Sequence, residues 1–176
     1  MRFCGVWFLL ALALSGCAEP KFEFRGYTDL SGCTDVVDAE LGSGSSYVGV
    51  YNADDPQDLA QTIELSGTIF SEPVRINVSC TRGRVDSIQY VAQESDPKKT
   101  GPVFAAFAAG LDGLFGEPTV LVSDNARSLR YLCDTRPPVL LEEWRLEPVD
   151  PDEHDEPVHE VYLAVVPAAA ECLTRE

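Results

Sequence analysis

Positive charge is scarce in this chain. The sequence holds 13 Lys and Arg residues against 29 Asp and Glu residues, which gives a formal net charge of −16 at pH 7. Such a field repels nucleic acid and anionic lipid headgroups, and it attracts cations and basic proteins. The same acidity also suits a salty habitat, where dissolved ions screen the repulsion. Composition therefore argues against a nucleic-acid-binding protein and leaves the last two explanations open.

Motifs of known catalytic chemistry are also missing. The small-residue loop at 42–46 lacks the G-x-S-x-G order of a nucleophile elbow, and Lys98-Lys99-Thr100-Gly101 lacks the preceding glycines of a phosphate-binding loop. The chain has two histidines, and both lie in one acidic segment. The sequence therefore favours a protein that is not an enzyme. A hydrolase without a recognisable motif remains an alternative.

No apolar run near the amino terminus is long enough to cross a membrane. The run from Phe3 to Leu14 is shorter than the roughly 20 residues that a spanning helix requires. It is followed by Leu14-Ser15-Gly16-Cys17 and then by a polar stretch. This order is typical of a secretory signal peptide with a cleavage site after small residues. The tetrapeptide resembles the lipobox of bacterial lipoproteins.

The lipobox resemblance implies that residues 1–16 are removed and that Cys17 is lipidated. Two or more acyl chains on Cys17 would give stable membrane anchoring. In lipoproteins of bacteria with two membranes, an aspartate after the cysteine commonly retains the protein in the inner membrane, and this chain has Ala18 there. The resemblance therefore implies an outer-membrane anchor with the folded part facing the periplasm. We expect residues 17–32 to form the anchor, a tether and a short edge strand, and residues 33–176 to form one domain.

Cysteine spacing predicts disulfides rather than a zinc site. Of six cysteines, Cys4 leaves with the signal peptide and Cys17 carries lipid. The others show no CxxC pair, and an exported protein permits disulfide formation. Spacing alone leaves three pairings open. We expect two bridges and favour Cys33–Cys80 with Cys133–Cys172.

Hydrophobic patterning predicts several antiparallel strands. Val74, Ile76 and Val78 alternate with polar residues, and 81–84 has the composition of a turn before a return strand at 85–91. Residues 59–65 fit either a helix end or a strand. Further strands are predicted at Tyr47–Tyr51, Thr119–Val122, Ser128–Cys133, Val139–Leu146 and Val158–Val166. The last of these is the most apolar, which favours a central position.

One helix stands out at Pro102–Phe115. Its apolar residues recur at helical spacing, which predicts that it covers one face of the sheet: Phe104, Phe107, Leu111, Leu114 and Phe115. Gly110 and Gly113 would permit close backbone approach. A shorter helix is predicted at Thr34–Leu41. We expect an α+β fold with a mostly antiparallel sheet and this principal helix on one face. The similar stretches at 78–82 and 131–136 fit either a duplicated helix–hairpin unit or coincidence, and coincidence is the favoured interpretation.

The densest group of metal-ligand residue types lies near the carboxyl terminus. It comprises Asp150, Asp152, His154, Asp155 and His159. Carboxylates suit hard cations and imidazoles suit zinc or copper. Counted from Asp150, the sixth and twelfth positions lack the Gly and Glu of an EF-hand loop. A solvated loop is the favoured interpretation, and weak binding of a divalent cation is the alternative.

These observations lead to one functional expectation and two alternatives. We expect a membrane-anchored lipoprotein of the periplasm that binds a protein or envelope component without catalysing a reaction and without a cofactor. The negative charge favours a basic partner. The alternatives are binding of a divalent cation through residues 150–160 and a hydrolase.

Overall fold

The computed structural model describes residues 23–28, 31–52, 59–94, 96–123, 126–131, 139–146 and 158–165. These residues form two helices and ten strands. The helices are α1 (Cys33–Gly42) and α2 (Pro97–Phe115). The strands are β1 (Glu23–Phe24), β2 (Tyr27–Thr28), β3 (Ser46–Asn52), β4 (Ala60–Ile69), β5 (Glu72–Thr81), β6 (Arg84–Glu94), β7 (Thr119–Ser123), β8 (Ala126–Tyr131), β9 (Val139–Leu146) and β10 (Val158–Val165).

Eight strands form one sheet in the order β3-β4-β5-β6-β10-β9-β8-β7, and every pairing is antiparallel. The expected α+β fold with a mostly antiparallel sheet is therefore confirmed. The predicted strands are present, and the ambiguous segment 59–65 belongs to β4. β10 lies between β6 and β9, as its apolar sequence predicted, because strands with neighbours on both sides are shielded from water.

A single row of apolar side chains crosses the sheet and defines its core face. The strand register places six residues side by side: Leu65, Ile76, Tyr90, Leu163, Leu141 and Leu129. Five of the six belong to one buried hydrophobic cluster, and Leu129 packs against it. The cluster also contains Val36 of α1 and Phe104, Phe107 and Leu111 of α2. Both described helices therefore pack on the same face. Burial of this apolar surface supplies the main driving force for folding.

Helix α2 covers the sheet as predicted but begins five residues earlier than Pro102. The Asp96 side chain accepts a hydrogen bond from the Lys98 backbone N–H at 3.0 Å, and Pro97 occupies the first turn. This is the favourable pairing of an acidic N-cap with an early proline. Pro102 instead lies inside the helix. Leu114 was predicted to be buried and is 55% exposed.

Close contact occurs at only one of the two glycines predicted to allow it. A Cβ atom at Gly110 would lie 2.2 Å from the ring of Phe70, whereas a Cβ at Gly113 would meet nothing within 4 Å. Phe70 belongs to the two-residue turn between β4 and β5 and packs edge-on against Phe107, with ring centroids 6.0 Å apart. Gly110 is therefore the point where α2 accommodates this turn.

A disulfide fixes α1 to the sheet. Cys33 at the start of α1 and Cys80 in β5 are bridged, with Cα atoms 6.1 Å apart. This confirms one of the two predicted bridges, whereas Cys133 and Cys172 lie outside the described residues. The bridge closes a sequence separation of 47 residues. Constraining an unfolded loop of that size stabilises a protein by about 4 kcal/mol.

The amino-terminal strands differ from the predicted edge strand. β1 and β2 pair only with each other in a separate two-stranded hairpin. Phe24 and Tyr27 of this hairpin are buried in the main core, where their rings meet edge-on with centroids 5.9 Å apart. The physical reason is that two aromatic side chains gain more by entering the core than by extending a solvated edge. The hairpin therefore lies on the core face.

The topology repeats a helix followed by four strands. α1 precedes β3 to β6, α2 precedes β7 to β10, and the two last strands, β6 and β10, pair at the centre of the sheet. Antiparallel pairing of equivalent strands relates the halves by an approximate two-fold axis. The similar sequences at 78–82 and 131–136 do not follow this repeat. Cys80 is in β5, and Cys133 follows β8.

Candidate functional site

The face of the sheet opposite the core carries mostly polar residues in the described part of the chain. We call it the free face, because α1 and α2 both pack on the other side. The strand register places a row of side chains across it: Ser66, Arg75, Val91, Tyr162, Glu142 and Ser128. A second row follows: Gly49, Glu64, Asn77, Gln89, Ala164 and Leu140.

Tyr162 lies near the centre of the free face. Its neighbours across β10 are Val91 of β6 and Glu142 of β9. Burial raises the pKa of the Tyr162 phenol, the charges of Glu142 and Glu160 raise it further, and a hydrogen bond with Gln89 opposes these effects. The phenol therefore stays protonated at neutral pH. It offers a partner both a hydrogen-bond donor and an acceptor.

Charged groups on the free face are held in place by neighbours. Glu160 accepts a hydrogen bond from the Gln93 amide at 2.6 Å and lies 4.0 Å from the Arg75 guanidinium. The Ser128 hydroxyl donates to Glu142 at 3.3 Å. These contacts fix carboxylates at defined positions, which lowers the entropy lost when a partner binds.

A second polar feature is enclosed on the core side. We call it the buried cluster, and it consists of Arg25, Tyr27, Glu40, Ser45 and Tyr90. Glu40 of α1 has no exposed surface. Its carboxylate accepts hydrogen bonds from Arg25 Nε at 2.9 Å, from the Tyr90 hydroxyl at 2.5 Å and from the Ser45 hydroxyl at 3.1 Å. Buried charge is stable only when it is paired and hydrogen-bonded in this way.

The two tyrosines of the buried cluster form a short chain of hydrogen bonds that ends at Glu40. Each phenol carries one proton, and Tyr90 donates its proton to Glu40, so the Tyr27 hydroxyl, at 2.7 Å, donates to Tyr90. Burial raises the pKa of Tyr27 and of Tyr90 well above the usual value for tyrosine. For Arg25, burial alone would lower the pKa, but the hydrogen bond and charge of Glu40 outweigh it and the pKa is raised.

The buried cluster holds the amino-terminal hairpin against the domain. Arg25 lies in the turn between β1 and β2, and its guanidinium also donates to the Thr68 backbone carbonyl at 3.1 Å. Its Cζ atom lies 5.9 Å from the centre of the Tyr90 ring, within the range of a cation–π interaction. The cluster thus joins the hairpin, α1, β4 and β6. Because the Glu40 carboxylate is fully enclosed, its role is to position elements rather than to act on a substrate.

Sequence reasoning missed Glu40, although a signal was present. Cys33, Val36 and Glu40 are spaced as one stripe of a helix, and all three are buried. A carboxylate on an otherwise apolar stripe indicates either an exposed stripe or a buried charge that requires a partner. Its charged partner, Arg25, lies in the segment 17–32, which the sequence predicts to be an anchor, a tether and a short edge strand.

The residues predicted to bind a metal are not brought together in the described structure. Asp150, Asp152, His154 and Asp155 lie outside the described residues. His159 is in β10, where its register neighbours are Glu94 and Arg145. Among the residues that the structure describes, there is no group of three or more His, Cys, Asp or Glu residues that could hold a metal ion.

Cys17, the predicted lipidation site, also lies outside the described residues. Neither of the helices described here is long and apolar enough to cross a membrane. Comparison with protein-family models, with curated proteins and with solved structures found no match to the chain. The features that bear on function are therefore the free face, the buried cluster and the predicted anchor.

Proposed function

We propose that this protein is a lipid-anchored binding module of the bacterial envelope that holds a protein partner on its free face. The observation that supports this most is the free face itself, a continuous antiparallel surface on the side of the sheet opposite both described helices. Ser66 and Arg75 are exposed on it, whereas Val91 and Ala164 are buried. Tyrosine and arginine side chains are enriched at protein interfaces, and Tyr162 and Arg75 lie on this face. Hydrogen bonds hold the carboxylates of Glu142 and Glu160 beside them. Such a surface suits recognition more than catalysis.

The position of the hairpin supports an orientation relative to the membrane. If Cys17 is lipidated, only the residues between it and Glu23 connect the lipid to β1. Such a segment spans at most ~20 Å when fully extended. The hairpin is packed on the core face, where Tyr27 contacts Tyr90. The free face would then be directed away from the point at which the chain leaves the domain, and so toward the periplasm.

The charge of the free face favours a basic partner. Glu64, Glu142 and Glu160 lie at register positions of this face against Arg75 and Arg130, so its balance is negative, as is that of the whole chain. Electrostatic attraction between an acidic surface and a basic protein raises the rate of association and weakens as salt is added. We therefore expect the affinity for the partner to fall with ionic strength.

A crosslinking experiment tests the proposed surface. A photoreactive phenylalanine replaces Tyr162 on the free face in one strain and Asp38, exposed on α1, in another. Irradiated envelopes should yield a discrete adduct from position 162 and none from position 38. The adduct should weaken with Glu64→Arg and persist with Asp38→Arg, which makes a similar charge change on the opposite side. Equal adducts at both positions, or none at 162, would overturn the proposal.

The anchor and the second disulfide belong to the same proposal. We infer that Cys17 is acylated and that Cys133 pairs with Cys172. Intact mass and peptide mapping, on protein purified from its own membranes without reductant, would detect both. An unprocessed amino terminus would contradict the anchor. A free thiol at Cys133 or Cys172 would contradict the second bridge while leaving the Cys33–Cys80 bridge unaffected.

A further inference from the structure

Strand β3 is an exposed edge with an unusual composition. Within the described residues it pairs with β4 alone. Four of its side chains are exposed although they are apolar or aromatic: Tyr47 at 57%, Val48 at 52%, Val50 at 41% and Tyr51 at 58%. An edge strand with unpaired backbone groups and exposed apolar side chains is a template for another strand, and proteins normally protect it with charges or proline. β3 contains neither.

We propose that two copies of this chain pair through β3 in an antiparallel dimer centred on Gly49. The sequence of the strand is symmetric about that residue and reads Tyr47-Val48-Gly49-Val50-Tyr51. In a two-fold antiparallel pair, the same surface of both copies must complement itself. Val48 and Val50 flank Gly49 in each copy, and the sheet continues from one copy into the other. The symmetry is one of sequence, because Tyr47 lies on the core side and Tyr51 on the free face.

The register of β3 places two of its exposed apolar or aromatic residues on the core side of the sheet. Tyr47 pairs with Leu65 and Val50 pairs with Ile63, so both lie on the core side of the sheet. An irregularity between Tyr47 and Gly49 inserts Val48 and brings Tyr47 to the same face as Val50. The core of each copy is thereby extended to the edge, and pairing would join the two extensions into one apolar surface.

Charge distinguishes a second copy from the basic partner of the free face. No residue of Ser46–Asn52 is charged, in a chain whose net charge is −16. β3 therefore offers nothing to attract a basic protein, and its side chains add no repulsion between two acidic copies. Repulsion between the copies is screened by salt, and hydrophobic association is not weakened by it. The dimer should strengthen with ionic strength, opposite to binding at the free face.

A cysteine on the proposed axis gives a direct test. Opposed residues in an antiparallel pair have Cα atoms about 4.5 to 5.5 Å apart, which is within the range of a disulfide. The full chain carrying Gly49→Cys, purified in detergent without reductant, should form a covalent dimer whose peptide map links residue 49 to residue 49. Asp38→Cys, exposed on α1, should not.

A charge variant and mass measurements complete the test. Light scattering of the unmodified full chain should show a dimer whose fraction rises with protein concentration and with NaCl. Val50→Lys places two like charges beside the axis and should return the protein to a monomer with unchanged circular dichroism. A chain that stays monomeric at all concentrations, or a Gly49→Cys variant that crosslinks no more than Asp38→Cys, would overturn the proposal. A dimer that survives Val50→Lys would also overturn it.

Discussion

Glu40 joins three other parts of the described structure, because its carboxylate accepts hydrogen bonds from Arg25, Ser45 and Tyr90. Replacing it with alanine would leave the Arg25 guanidinium half-buried without its carboxylate and the Tyr90 hydroxyl without its acceptor. Removing one partner of a buried ion pair typically costs about 3–5 kcal/mol. We expect Glu40→Ala to lower the free energy of unfolding by that amount, as measured by urea denaturation.

Asp38 is the matched control for Glu40. It lies on the same helix and is exposed, so Asp38→Ala should change stability by no more than about 0.5 kcal/mol. A Glu40→Ala variant as stable as Asp38→Ala would show that the buried cluster does not fix the hairpin. A double variant, Arg25→Met with Glu40→Leu, removes both charges. If it is as stable as the unmodified chain, apolar packing can replace the ion pair.

The buried tyrosines predict a loss of stability at alkaline pH. In the unfolded chain Tyr27 and Tyr90 ionise near pH 10, whereas burial raises the pKa of both in the folded chain. Their stabilising effect is therefore fully present below pH 10. Above it, the unfolded state binds fewer protons than the folded state, and stability falls. Each tyrosine should contribute a slope of about 1.4 kcal/mol per pH unit.

Urea midpoints measured between pH 8 and pH 11 would test this slope. The variant Tyr27→Phe removes one of the two groups and should flatten the decline above pH 10, even if it lowers stability overall. A stability that stays constant to pH 11 would contradict the prediction. The chain has six tyrosines, and Tyr47 and Tyr51 are exposed. The part of the tyrosinate absorbance that comes from Tyr27 and Tyr90 should appear together with unfolding, because these buried phenols ionise only when the core opens.

At the scale of elements, the two glycines of α2 should respond to substitution with opposite signs. Gly110→Ala places a Cβ against the ring of Phe70, and over-packing of this kind costs roughly 1–3 kcal/mol. Gly113→Ala meets no neighbour within 4 Å and should stabilise the helix by up to about 1 kcal/mol. Thermal unfolding of both variants tests the packing of α2 on the β4–β5 turn. Equal shifts for the two variants would contradict it.

The elements that the sequence predicted well are those whose burial follows a local period. β5 alternates Val74, Ile76, Val78 and Cys80 on its core face, and the structure buries all four. The start of α2 was misplaced because Pro102 has the composition of a first turn, while the Asp96-Pro97 pair upstream provides the real cap. The hairpin of β1 and β2 was missed because its contacts are with distant residues and leave no period in a short segment.

At the scale of the whole molecule, the free face and the dimer edge were not predictable from local patterns. Their positions depend on the pairing of β6 with β10, which joins the two halves of the sheet across more than sixty residues of sequence. The sequence predicts a strand at 47–51, but it does not say which strands lie at an edge of the sheet. Composition, by contrast, is a whole-molecule property, and its consequences can be tested without any partner.

The net charge of −16 predicts that salt stabilises the folded chain. Like charges are closer together in the folded state, so self-repulsion opposes folding, and the screening length falls from about 30 Å at 0.01 M salt to about 3 Å at 1 M. The urea midpoint should rise with NaCl and level off below roughly 0.5 M, because further screening adds little. A rise that stays linear with concentration would indicate a general salt effect on hydrophobic burial instead. A flat response would show that the acidic residues are too far apart to repel, and that result would favour selection of the acidity for a basic partner over adaptation to a salty habitat.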